Sequence, residues 1–183
     1  MNSEAIDSLT DTVTKNKRVR SLSLARCRLR PRTIQKLLHK FMRLHHLKAL
    51  DLSGNDITFT VAEDVSLLLE VDQYLEQLLL DHCVVSDASC EKILQSLHVN
   101  RSLRLLSLAH NNLSASGIIP LADVLRENTA LAALNLSGNK LDAAAANILA
   151  DGLRATSSLV ILNLDDNDLG DEGASVLLQA LQD

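Results

Sequence analysis

His82 and His110, with Asp81, Cys83 and Ser107 close by in the chain, are the residues whose types and spacing could do chemistry. Two imidazoles beside a carboxylate hold a transition metal when a third and a fourth ligand join them. Ser107, His110 and Asp81 also supply the residue types of a nucleophile, a base and an orienting acid. Neither set is complete. Asp81 is expected to face the open side of its strand while Cys83 points into the core, which splits the ligands. Nothing supplies an oxyanion hole or a substrate pocket. There is no Gly-rich phosphate loop, no CxxC pair and no HExxH. No metal, cofactor or enzymatic role is therefore expected, and the two histidines read as surface residues repeated by an underlying period.

That period organises the whole chain. Val19, Leu47, Leu75, Leu103, Leu131 and Leu159 open the same pattern every 28 residues, which marks a repeat array. Each repeat carries a leucine pair alternating with small or polar residues: Leu22 and Leu24, Leu50 and Leu52, Leu78 and Leu80, Leu106 and Leu108, Leu134 and Leu136, Leu162 and Leu164. Such alternation sends one set inward and the other to the opposite face of a strand. Three residues after each pair stands Cys27, Asn55, Cys83, Asn111, Asn139 or Asn167. A buried amide needs partners, so the stacked asparagines are expected to bond their own turn and the neighbouring repeat.

The second half of each repeat has the i, i+3, i+4, i+7 spacing of a helix face. Examples are Ile34, Leu37, Leu38 and Phe41; Cys90, Ile93, Leu94 and Leu97; Ile118, Leu121, Ala122 and Leu125; and Ala174, Leu177, Leu178 and Leu181. Pro120 falls early in the fourth helix, where a missing N–H is tolerated. The second repeat is least regular, with Ser66 among Ala62, Val65 and Leu69, and a loosened convex side is expected there. Residues 1–18 read as a half repeat whose Ile6, Leu9, Thr10 and Val13 cap six repeats spanning 19–183. Strand, crossover helix and parallel strand connect in the right-handed sense. Strands stack about 4.8 Å apart and helices about 8–10 Å, so the expected fold is an α/β solenoid with parallel strands on its concave face and helices on its convex face. No polar terminal segment follows the sixth repeat, so an uncapped C-terminal end is expected, as in a piece of a longer array.

Composition fits many small layers: 46% of residues are apolar and only 2% aromatic. No leader pattern opens the chain and no apolar run approaches the roughly 18 residues that span a bilayer. The expectation is a soluble intracellular protein, cytoplasmic with the nucleus left open. Cys27 and Cys83 fall two repeats apart, about 10 Å by strand spacing, beyond the roughly 7 Å between Cα atoms that a disulfide tolerates.

Leu131-x-x-Leu134-x-Leu136-x-x-Asn139-x-Leu141, followed by a helical segment, resembles the leucine-rich repeat of the ribonuclease-inhibitor type, and the likeness runs over nearly the whole chain. Members of that group include the Ran GTPase activator and tropomodulin-like actin proteins. The resemblance implies a non-catalytic scaffold that holds a protein partner on the concave face or its rim, without cofactor, membrane or small-molecule substrate. Two other roles stay open. A regulator similar to the Ran GTPase activator would need a polar rim residue such as Arg26, Arg28 or Asn112, none of which lies in a diagnostic motif. A scaffold docking an acidic partner or nucleic acid would use the basic first repeat.

The expected partner surface is Asp51, Leu79, Asp81, Leu105, Ser107, Asn135, Ile161, Asn163 and Asp165, with His82 and His110 about 5 Å apart on the rim. It lacks the Trp, Tyr and Arg anchors that dominate most interfaces. Charge is sharply divided: residues 12–50 hold 12 Lys or Arg and no acid, whereas residues 51–183 hold 6 basic and 20 acidic side chains. Arg18, Arg20, Arg26, Arg28, Arg30 and Arg32 gather around the first strand, an expected seat for an acidic protein partner. Nucleic acid is disfavoured because no aromatic residues interleave the arginines.

Overall fold

The computed structural model describes residues 3–182; the first two residues of the expected cap, and Asp183 at the end of the sixth repeat, lie outside the described residues. A leading helix, α1 (Ser3–Lys15), precedes six strands of three residues each: β1 (Ser21–Ser23), β2 (Ala49–Asp51), β3 (Gln77–Leu79), β4 (Leu105–Ser107), β5 (Ala133–Asn135) and β6 (Ile161–Asn163). Helices α2 (Pro31–Phe41), α3 (Phe59–Val71), α4 (Asp87–Ser96), α5 (Leu121–Glu127), α6 (Ala143–Leu153) and α7 (Gly170–Ala180) follow them in turn. The sheet runs β1 to β6 in chain order, every pair parallel and offset by one period, so that Leu22 lies opposite Leu50 and Leu134 opposite Leu162. The result is a right-handed solenoid with the sheet inside and the helices outside. Among the described residues no helix is long and apolar enough to cross a membrane.

The inward leucines of the middle repeats, from Leu50 to Leu136, are buried, while Leu22, Leu162 and Leu164 in the end repeats are half-buried, each lacking a neighbouring strand on one side among the described residues. At the N-terminal end α1 packs Ile6, Thr10 and Val13 inward. Lys40 on α2 reaches back to Asp7 and Asp11, each at 3.2 Å, and hydrogen bonds to Asp7 and then Asp11 hold its ammonium above the ordinary lysine range.

Between strand and helix the asparagines form a ladder, interrupted by cysteine in the first and third repeats. Asn139 donates to the carbonyls of Leu136 (2.8 Å) and Leu108 (3.1 Å), and its Oδ1 accepts from the N–H groups of Asn111 and Leu113, both at 3.0 Å. Asn55, Asn111 and Asn167 repeat the arrangement. Where cysteine replaces asparagine, the Cys83 thiol donates to the carbonyl of Leu52 at 3.3 Å, and the N–H of Ile57 turns to the backbone carbonyl of Cys83. Burial pushes the Cys83 thiol up to about 11. Cys27, Cys83 and Cys90 are all unpaired.

Three expectations are corrected on the convex side. The second repeat is not loosened: α3 runs for 13 residues with Val61, Ala62, Val65, Ser66, Leu68 and Leu69 buried, and the Ser66 hydroxyl donates to Glu70 one turn on. The irregular repeat is the fourth, where a 3₁₀ segment (Ala115–Ile118) precedes a seven-residue α5. Pro120 sits at the break, since it can donate no N–H to continue the ladder, and the 3₁₀ segment is drawn onto α4. The Asp87 carboxylate accepts from the Ser114 N–H (2.9 Å) and hydroxyl (2.6 Å) and from the Ser116 hydroxyl (2.7 Å). Gly117 permits that approach, as a Cβ there would stand 2.4 Å from Asp87 Oδ1. Val124, rather than Ala122, is the buried partner of Leu121 and Leu125. Third, α7 lies against α6 through Gly173 and Ala180, whereas Leu178 and Leu181 are 62% and 68% exposed. The apolar spacing predicts a single buried face, yet in this layered design a helix meets a neighbour on each side, and among the described residues α7 has one on one side only.

Candidate functional site: the concave groove and its left-handed rim

The third residue of each strand faces the concave side, and in β1, β2, β5 and β6 its side chain also closes a short turn. Asp51 accepts from the Ser53 N–H (2.9 Å) and the Ser23 hydroxyl (2.8 Å); Asn135 accepts from the Ser137 N–H and Asn163 from the Asp165 N–H. A short carboxylate or amide bonding the backbone two residues on is a stable way to end a strand. Burial raises the Asp51 carboxyl, but the Ser53 N–H and the hydroxyls of Ser53 and Ser23 outweigh it, leaving Asp51 below the ordinary aspartate value.

In the middle of the sheet Asp81 accepts from the Ser107 hydroxyl (2.5 Å) and the Ala109 N–H (2.9 Å), and Asn135 donates to Ser107 (3.0 Å). Ser107 and Ala109 face the concave side as expected, yet both are buried. Parity decides which way a strand side chain points, but the carboxylate arriving from the previous repeat decides whether water reaches it.

A groove of about 340 Å³ lies across β3 to β6, lined by Leu79, Asp81, Leu105, Ser107, Ala133, Leu134, Asn135, Ile161 and Asn163. The structure thus brings together seven of the expected partner residues and leaves Asp51, Asp165, His82 and His110 outside its lining. Leu105, Ala133 and Ile161 form a straight apolar row across three neighbouring strands; Gln77 continues it on β3, and Leu79 lies two residues along, opposite Ser107. Ile161, at the end of the row, is 60% exposed.

Above the groove runs a ledge that sequence reasoning missed. Arg26, Gly54, His82, His110, Gly138 and Asp166, one per repeat, all adopt positive φ between 53° and 69°. The available signal was glycine at the same place in the second and fifth repeats. Arg28, Val84 and Asn112 form a partial second row. Val84 is 74% exposed, and a β-branched residue is an uncommon occupant of left-handed backbone.

The His82 and His110 rings stack with centroids 4.4 Å apart and planes 6° from parallel. The lone pairs of an imidazole lie in the ring plane, and two parallel planes do not meet, so one ion cannot sit on both. Among the described residues no group of three or more His, Cys, Asp or Glu could hold a metal. Nor does a triad form: Ser107 bonds Asp81 directly, with no imidazole between.

The His110 ring lies over Gly138, where a Cβ would stand 2.0 Å from Nδ1. Gly138→Ala should therefore destabilise the fold by more than the roughly 1–2 kcal/mol of left-handed alanine alone. In a His110→Ala background only that backbone part should remain. Equal losses in the two backgrounds, measured by denaturant titration, would show that the ring does not press on this glycine.

Around β1, Arg20 donates to the carbonyl of His46 at 3.0 Å. Arg18, Arg26, Arg28, Arg30 and Arg32 are exposed and have no acidic partner among the described residues. Lys48 differs, being paired with Glu76 at 2.6 Å.

A parallel ladder of short strands, one helical segment per turn and an asparagine spine define a leucine-rich repeat protein, and residues 157–178 match a leucine-rich repeat family. Residues 6–152 match the PRAME C-terminal domain. The chain belongs to the PRAME C-terminal domain family. Its fold is similar to the tropomodulin C-terminal domain of Caenorhabditis elegans, with 13% identity, a TM-score of 0.63, and coverage of 97% of this chain and 91% of that one. It is also similar to leiomodin-1 actin-binding site 2, with 11% identity, a TM-score of 0.59, and coverage of 98% and 86%. A search of curated protein sequences finds no match.

Proposed function

We propose that this chain is a non-catalytic scaffold of the ribonuclease-inhibitor-like type that binds a protein segment in its concave groove. The observation that carries the reading is the apolar row of Leu105, Ala133 and Ile161, with Leu79 beside it, set among polar groups that already bond one another. Apolar side chains held on a rigid sheet lose little freedom when a partner covers them, and water leaving them favours association. The hydrogen-bonded frame of Asp81, Ser107 and Asn135 fixes the groove's floor without chemistry of its own. One α-helix in each 28-residue repeat, shortened and preceded by a 3₁₀ segment in the fourth, supports the repeat type.

The test is affinity purification with wild type beside Leu105→Arg and Ile161→Asp, with Glu63→Ala on the convex side as control. Partners recovered by wild type and the control should fall by about tenfold with either groove variant, since anchor residues carry most of an interface's energy. Unchanged recovery would remove the groove as the site. Actin is a first purified partner to try by co-sedimentation, because the leiomodin-1 structure is described as an actin-binding site.

A further inference from the structure

The ledge above the groove carries opposite charges in its first and sixth repeats. Arg26 and Arg28 stand on it in the first, and Asp166 and Asp168 occupy the same two places in the sixth. All four are exposed, and none is in an ion pair among the described residues. Between Arg26 and Asp166 the ledge holds Gly54, His82, His110 and Gly138, with no acid and no Lys or Arg. In the second row Asp56 follows Arg28 and Lys140 precedes Asp168 by one period. They temper each charge without reversing it, because Arg30 adds to the one and Asp165 to the other.

Five strand spacings of about 4.8 Å put the two charged places about 24 Å apart. That is more than twice the roughly 10 Å over which 0.1 M salt screens a charge, so neither neutralises the other and each acts on what lies above it. Side chains between them run along the ledge. Arg26 lies over Gly54, where a Cβ would stand 2.6 Å from its Cγ, and the His110 ring lies likewise over Gly138. The stacked His82 and His110 rings fill the middle. The apolar row of the groove is off-centre on this axis, since Ile161 shares the sixth repeat with Asp166 whereas Leu105 is three repeats from Arg26.

We infer that the groove and its ledge accept a bipolar segment of a protein partner in one orientation. Its apolar block covers Leu105, Ala133 and Ile161. Basic residues directly beside that block meet Asp166 and Asp168, and acidic residues on its other side meet Arg26 and Arg28. Three strand spacings, about 14 Å, separate Leu105 from Arg26, so about four extended residues lie between the apolar block and the acidic ones. The inference rests on the groove reading and adds the order of charge in the partner. Complementary charge fixes register and excludes wrong partners more than it adds affinity. A segment laid the other way round brings like charges together at both places.

Two fluorescent peptides with blocked termini, read by anisotropy, test this. The first carries two glutamates, Ser-Gly-Ser, Leu-Val-Leu and two lysines in that order; in the second the glutamates and lysines change places. Turning the second end for end does not restore the match, because its apolar block stays beside the glutamates. At about 50 mM salt the first should bind about tenfold more tightly than the second, and the difference should shrink by about 300 mM. Exchanging the charges, Arg26→Asp/Arg28→Asp together with Asp166→Arg/Asp168→Arg, should reverse the preference. Each substitution installs a residue that the equivalent place in the other repeat already holds, so the fold tolerates it. Equal binding of the two peptides, or an unreversed preference in the exchanged protein, would overturn the inference and leave the groove reading standing. Failure of both peptides to bind at low salt would overturn it too. Ile161→Ser, a neutral change in the apolar row, should weaken the first peptide by about tenfold; no weakening would remove the groove reading and this inference with it.

Discussion

Asn111→Ala should lower the unfolding free energy by about 2–6 kcal/mol, because two buried N–H groups lose their acceptor and each costs about 1–3 kcal/mol unpaired. The side-chain oxygen of Asn111 accepts from Cys83 (2.9 Å) and Val85 (3.1 Å), and its amide donates to the carbonyls of Leu80, Leu108 and Ala109. The loss therefore falls on two layers at once, the third repeat and the fourth. Asn111→Cys should cost less, since Cys83 shows how a thiol serves the same place, donating to Leu52 and Asp81 at 3.3 and 3.4 Å. Urea titrations of the three proteins give the order directly. Equal losses for alanine and cysteine would mean that the thiol contributes nothing to the spine.

The second large effect belongs to Leu108→Ala. Leu108 is fully buried in a central layer, and removing its isobutyl group should cost about 2–5 kcal/mol through lost burial and a residual cavity. Ala133→Ser is the control: half-buried on the concave face of the next strand, it should change stability by less than about 0.5 kcal/mol. A neighbour such as Ala109 would be a poor control, because its burial beneath the Asp81 turn makes an added hydroxyl costly. Comparable losses for Leu108→Ala and Ala133→Ser would mean that inward and outward sides are exchanged.

What could be read in the sequence follows from which contacts a period constrains. The inward leucines and the asparagines recur because every layer needs the same filler and the same backbone partners, so alternation and a fixed spacing reveal them. Contacts that occur once are silent. Pro120 is visible in the sequence, but the split helix also depends on Asp87 one period earlier and on the small size of Gly117. Ser66 looked like a defect in the apolar face, yet its partner is Glu70 on its own helix. Of the concave residues, facing could be read for all; exposure could not, since the cover over Ser107 comes from Asp81. The left-handed ledge was hidden because four of its six members are not glycine, and the His82–His110 stack depends on side-chain rotation that spacing does not set.

The bonds of the asparagine spine connect residues 26, 28 or 31 positions apart, or two to three within one turn. None reaches across two layers. A gene encoding such a chain can therefore gain or lose length in steps of one whole period, each new layer meeting neighbours that already present its complement. A single inserted residue within a strand has no such tolerance, as it would turn the leucines outward and carry the asparagine out of reach of both its carbonyls. Lineages built on this plan should differ by entire turns of the coil, with their novelty confined to the few side chains that the spine leaves unassigned.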